Sequence, residues 1–299
     1  MNDQAAVGKL DFFRSPEQRA QFIATYDAVL ADWPVPYEEV DVDTDAGVTH
    51  VIACGPSSAP PLILLHGATT TAVMWRPVIE ALSASYRCYC VDTITEPNKS
   101  MPTRRVFGVS KLVGWLRQVL TALGVPASAR VAGFSYGGWM AANLAVHAPE
   151  LVNRLVLLAP AATFAPIPVE FYFRVFSPGP LRSPAMARKA VQWLSSTPGA
   201  SLDPTLDLAL TNLVSGRFLR LGVPSPTVLK DDTLRRINAP TTVLIGDRDV
   251  IYRGGPRAAL ARAQKLIPNV AVSALPGANH WLTVDCPRRL ADELVLGLT

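Results

Sequence analysis

Gly133-Phe134-Ser135-Tyr136-Gly137 is the stretch of sequence that decides the fold. A short apolar run precedes it, and a helical pattern follows it over residues 138–147. This context predicts a strand, a sharp turn and a helix, with Ser135 at the apex of the turn. Such a turn strains the backbone of its central residue and leaves no room for side chains two positions before and after it, where Gly133 and Gly137 stand. The motif therefore predicts a serine hydroxyl that is lifted clear of a sheet and aimed at a pocket.

His280 is the candidate base for this serine. A serine hydroxyl is a poor nucleophile at neutral pH and requires an adjacent base. His280 is one of four histidines and follows the apolar run 270–275, so we expect it on a loop beyond a strand end, where an imidazole can reach a site. The alternative interpretation is a histidine that caps a turn or lies on the surface. The motif around Ser135 favours the catalytic interpretation.

An acidic residue is required to orient the histidine, and two candidates follow the predicted buried strand 242–245. We favour Asp249, which can accept a hydrogen bond from the imidazole nitrogen that faces away from the serine. Asp247 is the competing candidate, with pairing to a nearby arginine or closure of the turn as its alternative role. Asp285 lies only five residues beyond His280, and we expect it to cap the last helix, which a proline opens.

Two backbone N–H groups are expected to bind a developing oxyanion. One belongs to Tyr136, directly after the serine. The other belongs to Ala68, in the segment that follows the apolar run 62–65. Gly67 lets the backbone of this segment pass close to the serine. For His66 we expect a structural role, with hydrogen bonds to the backbone, rather than direct chemistry.

The segments around the motif alternate between short apolar runs and helical patterns. Predicted strands lie near 38–42 and 48–53 and at 62–65, 86–91, 129–134 and 153–158, and predicted helices lie at 72–83, 109–122 and 137–147. A further helix is predicted over 15–32, with a proline at its first position and apolar residues at every fourth position. This alternation predicts an α/β fold with a mostly parallel central sheet flanked by helices.

The alternation stops between residues 165 and 236, which are rich in proline, aromatic residues and leucine. The strand pattern then restarts at 242–245. We interpret this segment as a helical cap over the site, because loops at strand ends line ligand sites in such sheets. Extra helices packed elsewhere are the alternative. The predicted organisation is a core of residues 1–164 and 237–299, which includes the N-terminal helix, with a cap over 165–236.

Composition excludes several classes of protein. With 299 residues, 49% of them hydrophobic, the chain can bury a full core. It has no apolar run of membrane-spanning length, and no secretory signal is visible. The net charge of +4 comes without a dense cluster of basic residues, so we expect no nucleic acid partner. The four cysteines match no zinc pattern, and we expect free thiols in a cytoplasmic protein without a metal site.

The chain order Ser135, Asp249, His280 is that of the α/β-hydrolase superfamily, which the chain resembles from about residue 37 to its end. More narrowly, the chain resembles the small bacterial carboxylesterases with a helical cap. Residues 66–75 are similar to the oxyanion stretch and first crossover helix of that family. The loop that begins at Asp92 lacks the glycines of the Asp-x-x-Gly-x-Gly-x-Ser pattern found in many relatives, and we expect Asp92 to brace backbone donors of nearby loops.

The resemblance implies hydrolysis of small to medium apolar carboxylic esters through an acyl-enzyme on Ser135, with no metal or organic cofactor. The fold hosts other chemistries, so a carbon–carbon bond hydrolase, a lactonase or an acyltransferase with the same residues stays open, as does a non-catalytic ligand receptor. Haloalkane dehalogenases and epoxide hydrolases are disfavoured because they require a carboxylate where Ser135 stands. The predicted partner is a small-molecule ester, and a homodimer is left open.

Overall fold

One mixed sheet forms the centre of the molecule. The computed structural model describes residues 10–125, 128–215 and 224–299. Within these ranges the strands are β1 (Tyr37–Thr44), β2 (Gly47–Cys54), β3 (Pro61–Leu65), β4 (Arg87–Val91), β5 (Met101–Pro102), β6 (Ala129–Phe134), β7 (Val152–Leu158), β8 (Thr241–Gly246) and β9 (Val270–Leu275). Their spatial order is β1-β2-β4-β3-β6-β7-β8-β9, with β5 paired to β2.

The sheet is mostly parallel, as predicted. Strands β1, β4 and β5 pair with β2 in antiparallel fashion. The remaining pairs are parallel, and they are β4–β3, β3–β6, β6–β7, β7–β8 and β8–β9. The central strands are apolar and buried; the side chains of Leu62 to Leu65 are at most 1% exposed. A parallel strand that is covered on both faces requires this continuous apolar composition. The sequence pattern therefore identified the centre of the sheet correctly.

Helices flank the sheet and connect its strands. They are α1 (Pro16–Ala31), α2 (Arg76–Ser83), α3 (Gly108–Ala122), α4 (Tyr136–His147), α5 (Val169–Phe176), α6 (Pro178–Leu181), α7 (Pro184–Trp193), α8 (Pro204–Ser215), α9 (Asp231–Leu234), α10 (Pro256–Leu266), α11 (Leu282–Asp285) and α12 (Pro287–Leu298). Short 3₁₀ turns occupy Ala72–Trp75, Pro149–Leu151 and Ala200–Leu202. None of the helices in the described part of the chain is long and apolar enough to cross a membrane.

Two helix starts follow from local chemistry. The Ser15 side chain accepts a hydrogen bond from the Gln18 N–H at 3.2 Å, and Pro16 opens α1, as predicted from the sequence. The predicted helix 72–83 instead begins as a 3₁₀ turn and becomes α-helical only at Arg76. Pro77 lies in the first turn of α2, where its missing N–H leaves no intrahelical hydrogen bond unmade.

Five helices and one 3₁₀ turn lie between β7 and β8 in the described residues, and we call residues 165–236 the inserted segment. It contains α5 to α9, and its residues 216–223 lie outside the described ranges. Helix α1 packs against α8 of the inserted segment. The N-terminal helix therefore contacts the inserted segment as well as the sheet region.

The turn between β6 and α4 is strongly compressed. Ser135 has φ 51° and ψ −110°, a backbone conformation that side-chain-bearing residues rarely adopt. A Cβ atom added to Gly133 would lie 2.2 Å from the Gly137 carbonyl oxygen, and one added to Gly137 would lie 2.2 Å from the Leu65 carbonyl oxygen. Both glycines are therefore required by the close approach of backbone to backbone, as the motif predicted.

Replacing Gly133 by alanine tests this compression. We expect Gly133→Ala to lower the free energy of unfolding by at least about 3 kcal/mol, because the added methyl group meets backbone atoms that cannot move aside. Gly114→Ala is the matched control, since Gly114 lies within α3 and has no atom within 4 Å of an added Cβ. This control should be neutral or slightly stabilising. Chemical denaturation of both variants measures the difference, and equal stabilities would contradict the compressed turn.

Candidate active site

Three side chains that are far apart in the sequence form one hydrogen-bonded chain. His280 Nε2 lies 3.0 Å from Ser135 Oγ, and His280 Nδ1 lies 3.1 Å from Asp249 Oδ2. All three residues are buried, with exposed fractions of 7% for Ser135 and 3% for each of the other two. In this arrangement Nδ1–H donates to the carboxylate, so that Nε2 is free to accept the serine proton.

The strand order explains why these side chains meet. Ser135 follows β6, Asp249 follows β8 and His280 follows β9. In a parallel sheet the carboxyl ends of the strands lie at one edge, and ligand sites form there. Ser135 therefore lies above the same edge of the sheet as the loops that follow β8 and β9.

The structure distinguishes the two candidate acids. Asp249 contacts the imidazole, and its second oxygen accepts from the Ile251 N–H at 3.0 Å. Asp247 Oδ1 instead accepts from the Gly277 N–H at 2.8 Å and so joins the loops after β8 and β9. This contact spans 30 residues, so it differs from the local arginine pairing and the turn closure that the sequence suggested for Asp247.

The expected helix-capping role of Asp285 is wrong. Cys286, not Asp285, is the N-cap residue of α12, and no side chain caps that helix. The Asp285 carboxylate accepts from the Ser195 hydroxyl and from the backbone N–H groups of Ser196 at 3.0 Å, Thr197 at 3.1 Å and Asn279 at 2.7 Å. Asp285 is the last residue of the short helix α11. Its negative charge strengthens the hydrogen bonds from the backbone N–H groups of Ser196 and Thr197, which follow α7. Asp285 therefore ties the His280 loop to the inserted segment.

The two expected oxyanion donors lie beside the serine. Ala68 and Tyr136 both line the cavity that Ser135 lines. Tyr136 is the first residue of α4, and the first N–H groups of a helix have no intrahelical acceptor. Gly67 allows the approach, because a Cβ atom there would lie 2.8 Å from the Phe134 ring and 3.4 Å from Ser135 Cβ. The Ala68 N–H donates to no group among the residues that the structure describes.

His66 and Asp92 hold the surrounding loops, as predicted. His66 is fully buried, its Nδ1 lies 2.8 Å from the Gly67 carbonyl oxygen, and its Nε2 accepts from the Thr93 N–H at 3.0 Å. Burial lowers the pKa of His66, which fits a neutral ring that donates from Nδ1. Asp92 accepts from the Ala72 N–H at 2.7 Å and thereby braces the start of the 3₁₀ turn.

A cavity of about 260 Å³ opens beside Ser135 and His280, and we call it the Ser135 cavity. Its walls are largely apolar and come from both the sheet region and the inserted segment. The described residues of the inserted segment that line it are Ile167, Phe171, Tyr172, Val175, Phe176, Leu194, Leu213, Pro224, Ser225 and Pro226. The inserted segment therefore supplies much of the cavity wall.

Glu96 carries the one carboxyl group among the described residues that line the Ser135 cavity. It is 2% exposed, and its Oε2 accepts from the Thr69 N–H at 3.1 Å. Thr69 has φ +65°, and the Asn212 side chain donates to its carbonyl oxygen at 2.9 Å. Burial raises the pKa of Glu96 to about 8, because the cavity desolvates the charged form.

Comparisons with known proteins identify the family of the chain. The alpha/beta hydrolase fold family matches residues 60–286. The chain belongs to this family. It is 31% identical over 281 residues to the carboxylesterase YbfK of Bacillus subtilis (strain 168). This alignment covers 92% of this chain and 92% of YbfK.

Two crystal structures of Bacillus subtilis proteins are similar to this α/β-hydrolase at 30% identity. Carboxylesterase CesB (YbfK) gives a TM-score of 0.85 and covers 94% of this chain and 98% of that one. Naproxen esterase (carboxylesterase NP) gives a TM-score of 0.84, and the match covers 95% of this chain and 99% of that one. The predicted family and the resemblance to small bacterial carboxylesterases are confirmed, and the relatives support an esterase-like hydrolase.

Two residues near the site of this α/β-hydrolase were missed from the sequence, Glu96 and Asn279. Asn279 Oδ1 accepts from the backbone N–H groups of His280 at 2.9 Å and Val250 at 3.2 Å, and its Nδ2 donates to the Trp193 carbonyl oxygen. Its position directly before His280 was the available signal, since a side-chain amide there can bridge neighbouring loops.

The raised pKa of Glu96 predicts a pH-dependent loss of stability in this hydrolase. The pKa lies near 4.5 in an unfolded chain and near 8 in the fold, so the folded state binds more protons between these values. The stability contribution is complete below about pH 4.5 and is lost as the pH rises to about 8. The free energy of unfolding of the wild type should therefore fall relative to Glu96→Gln by about 1.4 kcal/mol per pH unit in this window.

Urea denaturation of both proteins at several pH values measures this difference. Glutamine can accept from the Thr69 N–H but does not ionise, so it is the matched variant. If the difference in free energy of unfolding between the two proteins stays constant from pH 5 to pH 8, Glu96 is not buried in an apolar environment.

Proposed function

We propose that the protein is a serine carboxylesterase that hydrolyses small to medium apolar esters. The observation that carries the proposal is the hydrogen-bonded chain from Ser135 through His280 to Asp249, next to an apolar cavity. The similarity to carboxylesterases over nearly the whole chain supports the reaction class. We retain a reducing, cytoplasmic setting as part of the proposal, because the four cysteines are free and three of them are buried.

Ser135, His280 and Asp249 each have a defined role in the proposed reaction. Ser135 Oγ attacks the ester carbonyl while His280 Nε2 accepts its proton, and Asp249 stabilises the imidazolium through Nδ1–H. The alcohol leaves with the proton from His280, and an acyl-enzyme remains on Ser135. A water molecule then attacks the acyl group with His280 again as base, which releases the acid and restores the serine.

The developing oxyanion is held by the N–H groups of Ala68 and Tyr136 in this proposal. Backbone N–H groups of a folded chain require little reorganisation as charge develops. The Tyr136 N–H also lies at the N-terminus of the 12-residue helix α4, where the helix dipole favours negative charge. Removing one such donor from an oxyanion hole typically lowers turnover by about 10²- to 10³-fold.

The inserted segment acts as a cap in this proposal and sets the size of the substrate. Aromatic and aliphatic side chains of α5 line the Ser135 cavity, and the cavity of about 260 Å³ suits a short acyl or aryl group. Contacts to the loop after β9, which carries His280 and which we call the base loop, support the same role. The Leu194 carbonyl oxygen accepts from the N–H groups of His280 at 3.0 Å and Trp281 at 3.1 Å. The cap would therefore both enclose the ester and position the base.

Substitutions of the three side chains test the catalytic assignment. Ser135→Ala should lower kcat for para-nitrophenyl butyrate by at least about 10⁴-fold. Asp249→Asn should lower it by about 10²- to 10⁴-fold, because His280 loses the carboxylate that orients it. Asp247→Asn is the control, since Asp247 contacts Gly277 rather than the imidazole, and it should retain most activity. A larger loss in Asp247→Asn than in Asp249→Asn would contradict the assignment.

Narrowing the cavity tests the proposed cap. Val175 is 4% exposed and lines the Ser135 cavity, so Val175→Phe should lower kcat/KM for para-nitrophenyl hexanoate about tenfold more than for the acetate. Val169→Phe lies on the same helix but at a position that is 68% exposed, and it should leave the hexanoate-to-acetate ratio unchanged. Equal effects of the two variants on that ratio would contradict a cap that measures acyl length.

A further inference from the structure

Glu96 places one carboxyl group in a cavity whose other walls are mainly apolar, and the proposed acyl transfer does not use it. Its Oε2 accepts from the Thr69 N–H, whereas no group in the described ranges forms a hydrogen bond with Oε1. Because Glu96 lines the Ser135 cavity, Oε1 is the oxygen left to interact with a molecule there. Because Oε2 is already an acceptor, a proton on the neutral carboxyl group belongs on Oε1.

One further polar residue near Glu96 lines the cavity, and it is Tyr136. Tyr136 is 2% exposed, and burial raises the pKa of its hydroxyl, with a smaller contribution from the charge of Glu96. Thr95 neighbours that hydroxyl and is 4% exposed. The Thr95 side chain interacts with the Tyr136 hydroxyl through a hydrogen bond that acts to lower its pKa.

The lining of the cavity decides which ligand chemistry fits Glu96. No lysine or arginine is among the described lining residues, so a substrate carboxylate would find no cation there. The other titratable groups that face the cavity are Tyr136, Tyr172 and His280. Burial keeps Glu96 largely neutral at pH 7, and a neutral carboxyl group donates one hydrogen bond. An uncharged oxygen acceptor satisfies this donor without bringing a second charge into an apolar site.

We propose that Glu96 is a specificity-determining residue that donates a hydrogen bond to an uncharged oxygen of the substrate. Preferred esters then carry an ether, ketone or hydroxyl oxygen within an otherwise apolar group. This inference rests on the proposed esterase function, because the ester is positioned by Ser135 in the same cavity. It adds a polar anchor to a pocket whose other walls distinguish substrates mainly by size.

Pairs of esters that differ in one atom test the proposal. On the acyl side, para-nitrophenyl methoxyacetate replaces one methylene of para-nitrophenyl butyrate by oxygen. On the alcohol side, 2-methoxyethyl butyrate replaces one methylene of butyl butyrate in the same way. The ratio of kcat/KM for the ether ester to that for its hydrocarbon counterpart is measured in the wild type, Glu96→Gln and Glu96→Leu. Comparing ratios between proteins removes the different intrinsic reactivity of the esters.

For at least one pair, the ratio should fall about five- to tenfold in Glu96→Leu, the size expected for one lost hydrogen bond. It should stay within about twofold in Glu96→Gln, whose amide still donates. Ratios unchanged for both pairs in an active Glu96→Leu protein would overturn the proposal and leave Glu96 with the role of holding Thr69. Glu96→Met replaces Glu96→Leu if the latter fails to fold.

Binding to the Ser135→Ala variant separates this inference from the proposed function. The affinity ratio of each ester pair is measured by calorimetry for Ser135→Ala and for Ser135→Ala combined with Glu96→Leu. Absence of ester turnover in the wild type would contradict the esterase proposal alone. An affinity ratio that favours the ether ester and depends on Glu96 would support the recognition of oxygen, and a ratio independent of Glu96 in both pairs would overturn it.

Discussion

The contact between the β6 end and the start of α4 is the constraint on which the rest of the site depends. Gly133 and Gly137 bring two backbone segments so close that any Cβ atom would collide with a carbonyl group. This approach forces Ser135 to a positive φ, and its surroundings hold it there. The Ser135 N–H donates to the Leu158 carbonyl oxygen at 2.8 Å, and its own carbonyl oxygen accepts from the Ala161 N–H at 2.9 Å. A strained residue persists only where neighbouring structure fixes it in this way.

The inserted segment and the base loop form one connected unit. Asn279 and Asp285, on either side of His280, bind backbone groups at the end of α7 and just after it. A parallel sheet brings the loops of Ser135, Asp249 and His280 to one edge, but it does not fix the imidazole to within hydrogen-bonding distance. These contacts supply that fixation, because they hold the backbone before and after the ring. Movement of the inserted segment would therefore displace the base as well as the cavity wall.

The sequence predicted those features that depend on local pattern. The Gly-x-Ser-x-Gly turn, the apolar strands and the chain order of serine, acid and histidine can be recognised without knowing distant contacts, and the fold and family were correct. The wrong expectation for Asp285 had a specific cause: its partners at Ser195 to Thr197 lie about 90 positions earlier in the chain, whereas capping considers only neighbouring residues. Glu96 was missed for a similar reason, since only the packed cavity reveals that its carboxyl group is buried beside Thr69.

The most direct test of the account is covalent labelling with a fluorophosphonate, followed by peptide mapping. The reagent reacts with serine hydroxyls that a neighbouring base activates, and it depends on the convergence of Ser135, His280 and an oxyanion site. We expect one adduct per chain, located on Ser135, with loss of esterase activity in proportion to labelling. A protein that hydrolyses esters while its Ser135 stays unlabelled, or that is labelled at another residue, would contradict the account.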